Sequence, residues 1–194
     1  MEQDYYYLCD KQFDKEFDSV ETLIRYPWVG NKYAESNYRI LILGDSHYAT
    51  DNDGNPSDEE YANFKSNKES TRGIINSVID NCCKNESTWP MFRNLINTFT
   101  SLTPDEVIHL WSKVAFYNFI QEPMKLVDQV PTSKERRDGW RCYYDVVNIL
   151  KPDFWAQGGF SVDSPRLTKY LGTTEHEEWQ VIDAMHLSPQ SFDF

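Results

Sequence analysis

The stretch Tyr38-Arg39-Ile40-Leu41-Ile42-Leu43-Gly44-Asp45-Ser46-His47-Tyr48 sets the frame for the rest of the chain. An unbroken apolar run closed by a glycine and a polar cluster predicts a buried strand over 38–43 that delivers Asp45, Ser46, His47 and Tyr48 at its carboxyl end. In an open α/β sheet, ligands bind at the carboxyl ends of the strands, so four reactive or hydrogen-bonding side chains fall in the expected cleft. A plain turn opened by Gly44 and Asp45 is the competing account of the same residues.

Three further runs read as strands. Residues 113–118 end in Asn118, 154–157 are closed by Gly158-Gly159, and 179–183 lead into Ala184-Met185-His186-Leu187-Ser188-Pro189. Between them lie helical patterns. Ser70–Cys82 carries Ile74, Ile75, Val78 and Ile79 on one face; Thr88 would cap a helix reaching Phe99; Thr103-Pro104 opens a third. Ser133 would cap a long helix to Leu150 with Trp140, Tyr144, Val147 and Leu150 along one side, and a further helix is expected from about 163 to 171. Residues 1–37 read as an extension packed on a single domain spanning 1–194, with Phe13, Phe17, Val20, Leu23 and Ile24 on a helical stripe that Pro27 ends. Strands alternating with helices predict a three-layer α/β/α sandwich around a central, mostly parallel four-stranded sheet.

Composition narrows the function. A net charge of −12 and a pI near 4.7 argue against tight nonspecific binding to a phosphate backbone, which needs Lys and Arg to displace counterions. Lys134, Arg136, Arg137 and Arg141 could form a local basic rim; they read better as a solvated helix face paired with Glu135, Asp138 and Asp145. Cys9, Cys82, Cys83 and Cys142 are too scattered for a disulfide framework and read as reduced thiols. Asp51-Asn52-Asp53-Gly54 resembles a calcium loop in outline, but its glycine comes two residues early and Pro56 breaks the register, so a polar loop flanking the cleft is the better reading. No metal and no cofactor is expected. Without a signal-peptide pattern or a long apolar run, a cytoplasmic, monomeric protein with no membrane contact is expected.

Four segments in order carry a family resemblance: Leu43-Gly44-Asp45-Ser46-His47-Tyr48, then Phe116-Tyr117-Asn118, then Leu150-Lys151-Pro152-Asp153 running to Gly158, and His186-Leu187-Ser188-Pro189. In this the chain resembles the uracil-DNA glycosylase superfamily across residues 38–190. It departs from the family where prolines are replaced by His47 and Leu187, and it lacks the Cys-x-x-Cys pair of relatives that carry an iron–sulfur cluster. The resemblance implies a DNA or nucleotide partner containing a modified pyrimidine and hydrolysis of an N-glycosidic bond. Asp45 would position the water and His186 would stabilise the departing base. Asn118 would bind the base's amide edge, Tyr48 would wall the pocket, and an aromatic such as Phe64 would stack on the base. Gly44, Ser46, His47, Ser188 and Pro189 would complete the binding site around a flipped nucleotide.

Two alternatives stay open. The altered motifs and the acidic charge suit a non-catalytic member that binds nucleotide, nucleic acid or protein. Gly44-Asp45-Ser46 together with Asp183-Ala184-Met185-His186 also matches blocks of SGNH-type ester hydrolases, with Ser46 as nucleophile, His186 as base and Asp183 as the orienting acid.

Overall fold

Side chains alternate across the two central strands, and each strand feeds two cores. In β2 (Ile40–Gly44) and β3 (Val114–Asn118), Ile40, Ile42, Val114 and Phe116 enter one apolar cluster, while Leu41, Leu43, Ala115 and Tyr117 enter the other. Burial on both faces is why these strands read as continuous apolar runs rather than alternating ones. The computed structural model describes residues 4–51, 54–100, 103–126, 129–157 and 181–183. Their strand order is β1-β3-β2-β4-β5, with β4 at Phe154–Gln157 and β5 at Val181–Asp183. Strands β3, β2, β4 and β5 run parallel, and β1 (Trp28–Val29) pairs antiparallel with β3 as an edge strand.

The first core is roofed by α3 (Ser70–Cys83), α4 (Pro90–Phe99) and α5 (Pro104–Lys113), the second by α1 (Asp14–Phe17) and α6 (Ser133–Leu150). The fold is therefore mixed α/β, as expected. Trp28 and Trp111 are fully buried in the first core, where the Trp28 indole donates to Trp111 O at 2.8 Å. After β1 the backbone comes so close to α5 that a Cβ on Gly30 would sit 2.2 Å from Ser112 O, which only glycine permits. No helix among the described residues is long and apolar enough to cross a membrane.

Several local expectations are corrected. The stripe from Phe13 to Ile24 is not one helix: α1 stops at Phe17, and the chain proceeds in turns that still bury Val20 and Leu23. The N–H groups of Ile24 and Arg25 donate to Gln121 Oε1 rather than to carbonyls four residues back, so the helical ladder cannot continue. Thr88 does not cap α4; Trp89 occupies the N-cap and Pro90 the first helical position. Thr132, not Ser133, caps α6, accepting from the N–H of Glu135 at 3.2 Å while the Glu135 carboxylate reaches back to the Thr132 N–H. The buried face of α6 is Gly139, Cys142, Tyr143, Val146 and Leu150, so Tyr144 lies exposed. Residues 58–66, read as loop or left unassigned, form α2 (Asp58–Ser66), capped by Ser57 and buried on no side. The expected helix near 163–171 and the glycines at 158–159 lie outside the described residues.

Candidate functional site

Register places the candidate residues along one edge. Gly44 pairs with Asn118, Leu43 with Gln157 and Gln157 with Asp183, so the carboxyl ends of four parallel strands are level. The loops leaving β2 and β3 then run side by side. The N–H groups of Phe119, Ile120 and Met124 donate to Gly44 O, Asp45 O and His47 O at 2.9, 2.8 and 2.8 Å, and the Ala49 N–H donates to Met124 O at 2.7 Å. This zipper holds residues 45–48 rigidly above the sheet edge.

Asp45 is half-buried, and the Tyr48 hydroxyl donates to its Oδ2 at 3.0 Å, which fixes the carboxylate's orientation. Ser46 turns away. Its hydroxyl donates to Glu122 O at 2.8 Å and lies 3.3 Å from His47 O, tying the two loops together. A hydroxyl committed to a backbone carbonyl is poorly placed as a nucleophile, which weakens the ester-hydrolase account.

His47 is buried, with 2 % of its surface exposed. Burial first, and the nearby Arg25 guanidinium second, hold its pKa well below the ordinary 6.5, so the ring is neutral. A neutral imidazole has one donor and one acceptor nitrogen, and both are used here. Asn118 Nδ2 lies 2.9 Å from Nδ1 and donates to it, leaving the proton on Nε2 for Thr71 Oγ1 at 3.3 Å. Phe64, from the last turns of α2, packs on the ring at 4.9 Å between centroids. Asn118 and Phe64, both expected to face a base, are thus each engaged with His47, and Asn118 is itself buried.

Gly44 has a specific reason to be glycine: a Cβ there would stand 2.2 Å from Asn118 Oδ1 and 2.9 Å from Phe116 Cζ. Gly44→Ala is expected to push the Asn118 amide off His47 and to cost about 1–3 kcal/mol, as overpacking does. Chemical denaturation checks the cost. A loss under 0.5 kcal/mol, as for an ordinary surface change, would show that Asn118 can yield freely.

The neutral His47 also predicts a pH dependence. Unfolded, the ring binds a proton as pH falls through 6.5; folded, it refuses the proton because its pKa lies lower. The unfolded state then holds more protons, so stability is full above 6.5 and should fall by about 1.4 kcal/mol per pH unit below it. Partial burial lowers the His109 pKa and gives a weaker slope of the same sign. The test is therefore the difference between wild type and His47→Asn in unfolding free energy from pH 7.5 to 5.5: the variant's curve should be flatter.

Sequence reading missed Arg25 and Gln121. Arg25 is 1 % exposed, and its guanidinium donates to Phe64 O and Gln121 O, joining the chain before β1, the end of α2 and the loop after β3. Burial pulls its pKa down to about 10, which leaves it a cation at neutral pH. Gln121 completes the clasp by donating to Asn118 O at 2.6 Å. No sequence signal marks either residue, since both are polar types that normally lie on the surface.

Beside the loop after β3 lies a polar cavity of about 330 Å³ lined by Tyr61, Glu122, Pro123, Lys125, Gln129, Thr132, Lys134 and Glu135. Its charges are largely paired: Lys65 with Glu122 at 2.9 Å, Lys125 with Asp58 at 2.6 Å, Lys134 with Asp138 at 2.5 Å. The last pair agrees with the expected solvated face of α6, although Glu135 serves the helix cap instead. The four cysteines are free thiols, and burial pushes Cys142 up to about 12. His186, Ser188 and Pro189 lie outside the described residues. Comparison of the chain with protein-family models, with curated proteins and with solved structures returned no match.

Proposed function

We propose that this chain is a divergent uracil-DNA glycosylase-like protein, a three-layer α/β/α domain that hydrolyses the N-glycosidic bond of a flipped, deaminated pyrimidine in DNA. The observation that carries the reading is the Gly44–Asn118 register, which sets a fixed carboxylate, Asp45, beside a buried amide, Asn118, at one sheet edge. In the reaction Asp45 holds a water against C1′ and draws its proton as the C–O bond forms. The C1′–N1 bond breaks through an oxocarbenium-like transition state, and the base leaves as an anion that His186 stabilises. Tyr48 keeps the carboxylate in its working orientation, while Ser188 and Pro189 meet the strand beside the flipped nucleotide.

A second reading, a binding protein without catalysis, is favoured by the commitment of Asn118 Nδ2 to His47 and by the net charge of −12. The two are separated by measuring free base released from single- and double-stranded DNA containing uracil. Release that disappears in Asp45→Asn and in His186→Ala supports hydrolysis. Retention of the oligonucleotide with no release by wild type supports binding alone. Fluorophosphonate labelling of Ser46 would instead revive the ester-hydrolase account.

A further inference from the structure

The polar cavity walled by Tyr61 of α2, the loop after β3 and the first turn of α6 shares no residue with the sheet-edge cluster of 44–48 and Asn118. Its side-chain acceptors already meet donors. Both oxygens of Glu122 face Lys65 Nζ, at 2.9 and 3.2 Å, and Oε1 also takes the Tyr61 hydroxyl. Glu135 Oε2 takes the Thr132 N–H, and Thr132 Oγ1 accepts from the Glu135 N–H at 3.2 Å. Gln129 Oε1 accepts from the Lys125 N–H at 2.9 Å; a backbone N–H can only donate, so the orientation of that amide is fixed.

Donors are what remain. Gln129 Nε2 and the Thr132 hydroxyl proton have no protein acceptor among the described residues, and the N–H groups of Ser133 and Lys134 open α6, where a helix has no carbonyl of its own to offer. The ammonium of Lys125 is paired with Asp58, which is 91 % exposed, and that of Lys134 with Asp138 one turn along the helix. Surface pairs of this kind hold weakly in water and yield to a better anion. We infer that the cavity binds the phosphate group of a small molecule, inorganic phosphate or a phosphomonoester, through Lys125, Lys134, the Gln129 amide N–H and the Thr132 hydroxyl at the positive end of α6. Its volume of about 330 Å³ lies at the small end of ligand sites. A compact dianion need displace only Asp58 and Asp138 from their lysines, whereas an extended phosphodiester strand would meet the wider field of a chain with net charge −12. The inference is independent of the glycosylase-like reading.

Titration of the full ¹⁵N-labelled chain with inorganic phosphate at constant ionic strength tests it. The backbone amides of Lys125, Gln129, Ser133 and Lys134 should shift and saturate, with a Kd in the millimolar range or below. Gln129→Glu keeps the oxygen that receives the Lys125 N–H and replaces the donor by an acceptor, so Kd should rise by at least about tenfold, the scale of one charge-assisted hydrogen bond. Lys134→Ala, at an exposed position, should do the same. Lys84→Ala removes an equal charge from the end of α3, where Lys84 pairs with Asp80, and should leave Kd unchanged. Uridine 5′-monophosphate binding no tighter than inorganic phosphate would name the free ion as the ligand, and tighter binding would name a phosphomonoester; either supports the site. Shifts that chloride reproduces, shifts that do not saturate, or an unaltered Kd in a folded Gln129→Glu protein overturn the inference. Displacement of phosphate by oligothymidylate at equal phosphate concentration would give the cavity to a nucleic-acid strand and overturn it as well.

Discussion

Arg25→Met is expected to lower the unfolding free energy by about 2–3 kcal/mol, because it strips donors from one buried and one part-buried carbonyl, a buried one costing about 1–3 kcal/mol when left unpaired. Those carbonyls belong to Phe64 in α2 and Gln121 in the loop after β3. Methionine keeps most of the aliphatic stem, so the loss reports hydrogen bonding rather than an empty space. An opposing term exists, since a buried cation pays for its own desolvation and its Nε has no partner among the described residues. Backbone carbonyls in fixed positions decide the balance: they cannot follow a departing donor. Urea unfolding with an unchanged slope would carry the result, and a loss below about 1 kcal/mol would mean that water or neighbouring groups replace the guanidinium. The same variant should loosen Phe64 from His47, so the clasp joins stability to the site.

Asp45→Asn is expected to reduce base release at least about a hundredfold while leaving stability nearly unchanged, the usual range for removing a general base being 10²–10⁴. The substitution keeps the side chain's shape, and its Oδ1 can still accept from the Tyr48 hydroxyl that now reaches Asp45 Oδ2 at 3.0 Å. What disappears is the negative charge that draws the water's proton and faces the oxocarbenium-like transition state. Loss of activity together with loss of fold would assign Asp45 to the loop zipper instead.

Much of the frame was legible because burial on two faces leaves an unmistakable pattern. Ile40 to Leu43 and Val114 to Tyr117 read as interior strands, and Thr103 with Pro104 announced the start of α5, where the structure adds a bond the sequence reading did not use: both the N–H and the hydroxyl of Thr103 donate to Glu106 Oε2. What escaped was structure held by polar groups. Helix α2 has no fully buried residue; apart from the Phe64 ring on His47, it rests on the Ser57 cap, three acids in its first turn and the ion pairs of Lys65 with Glu122 and Lys125 with Asp58. Strand β1 is two residues long, too short for any alternation to register. On α6 the expected face is displaced rather than lost: Leu150 is buried and Trp140 and Val147 pack against the second core from its edge, but Tyr144 lies exposed against Trp140, ring centroids 6.0 Å apart, while Cys142 and Val146 go inward.

The site divides in the same way. That residues 44–48 and Asn118 share an edge follows from strand order, which the alternation of strands and helices suggested. That His47 lies beneath that edge, bonded to Asn118 and Thr71, depends on α3 crossing the first core at the right height. Ser46 shows the converse: its place after Gly-Asp suggested a nucleophile, and only the course of the loop after β3 reveals its hydroxyl bound to Glu122 O.

The most direct test of a base-binding, hydrolytic edge is a single-turnover measurement of uracil release from a single-stranded oligonucleotide, with protein in excess, comparing wild type and Asp45→Asn. The expected result is first-order release by wild type and a rate at least about a hundredfold lower in the variant. Equal rates in the two proteins, or no free base from wild type with the strand fully bound, would contradict it.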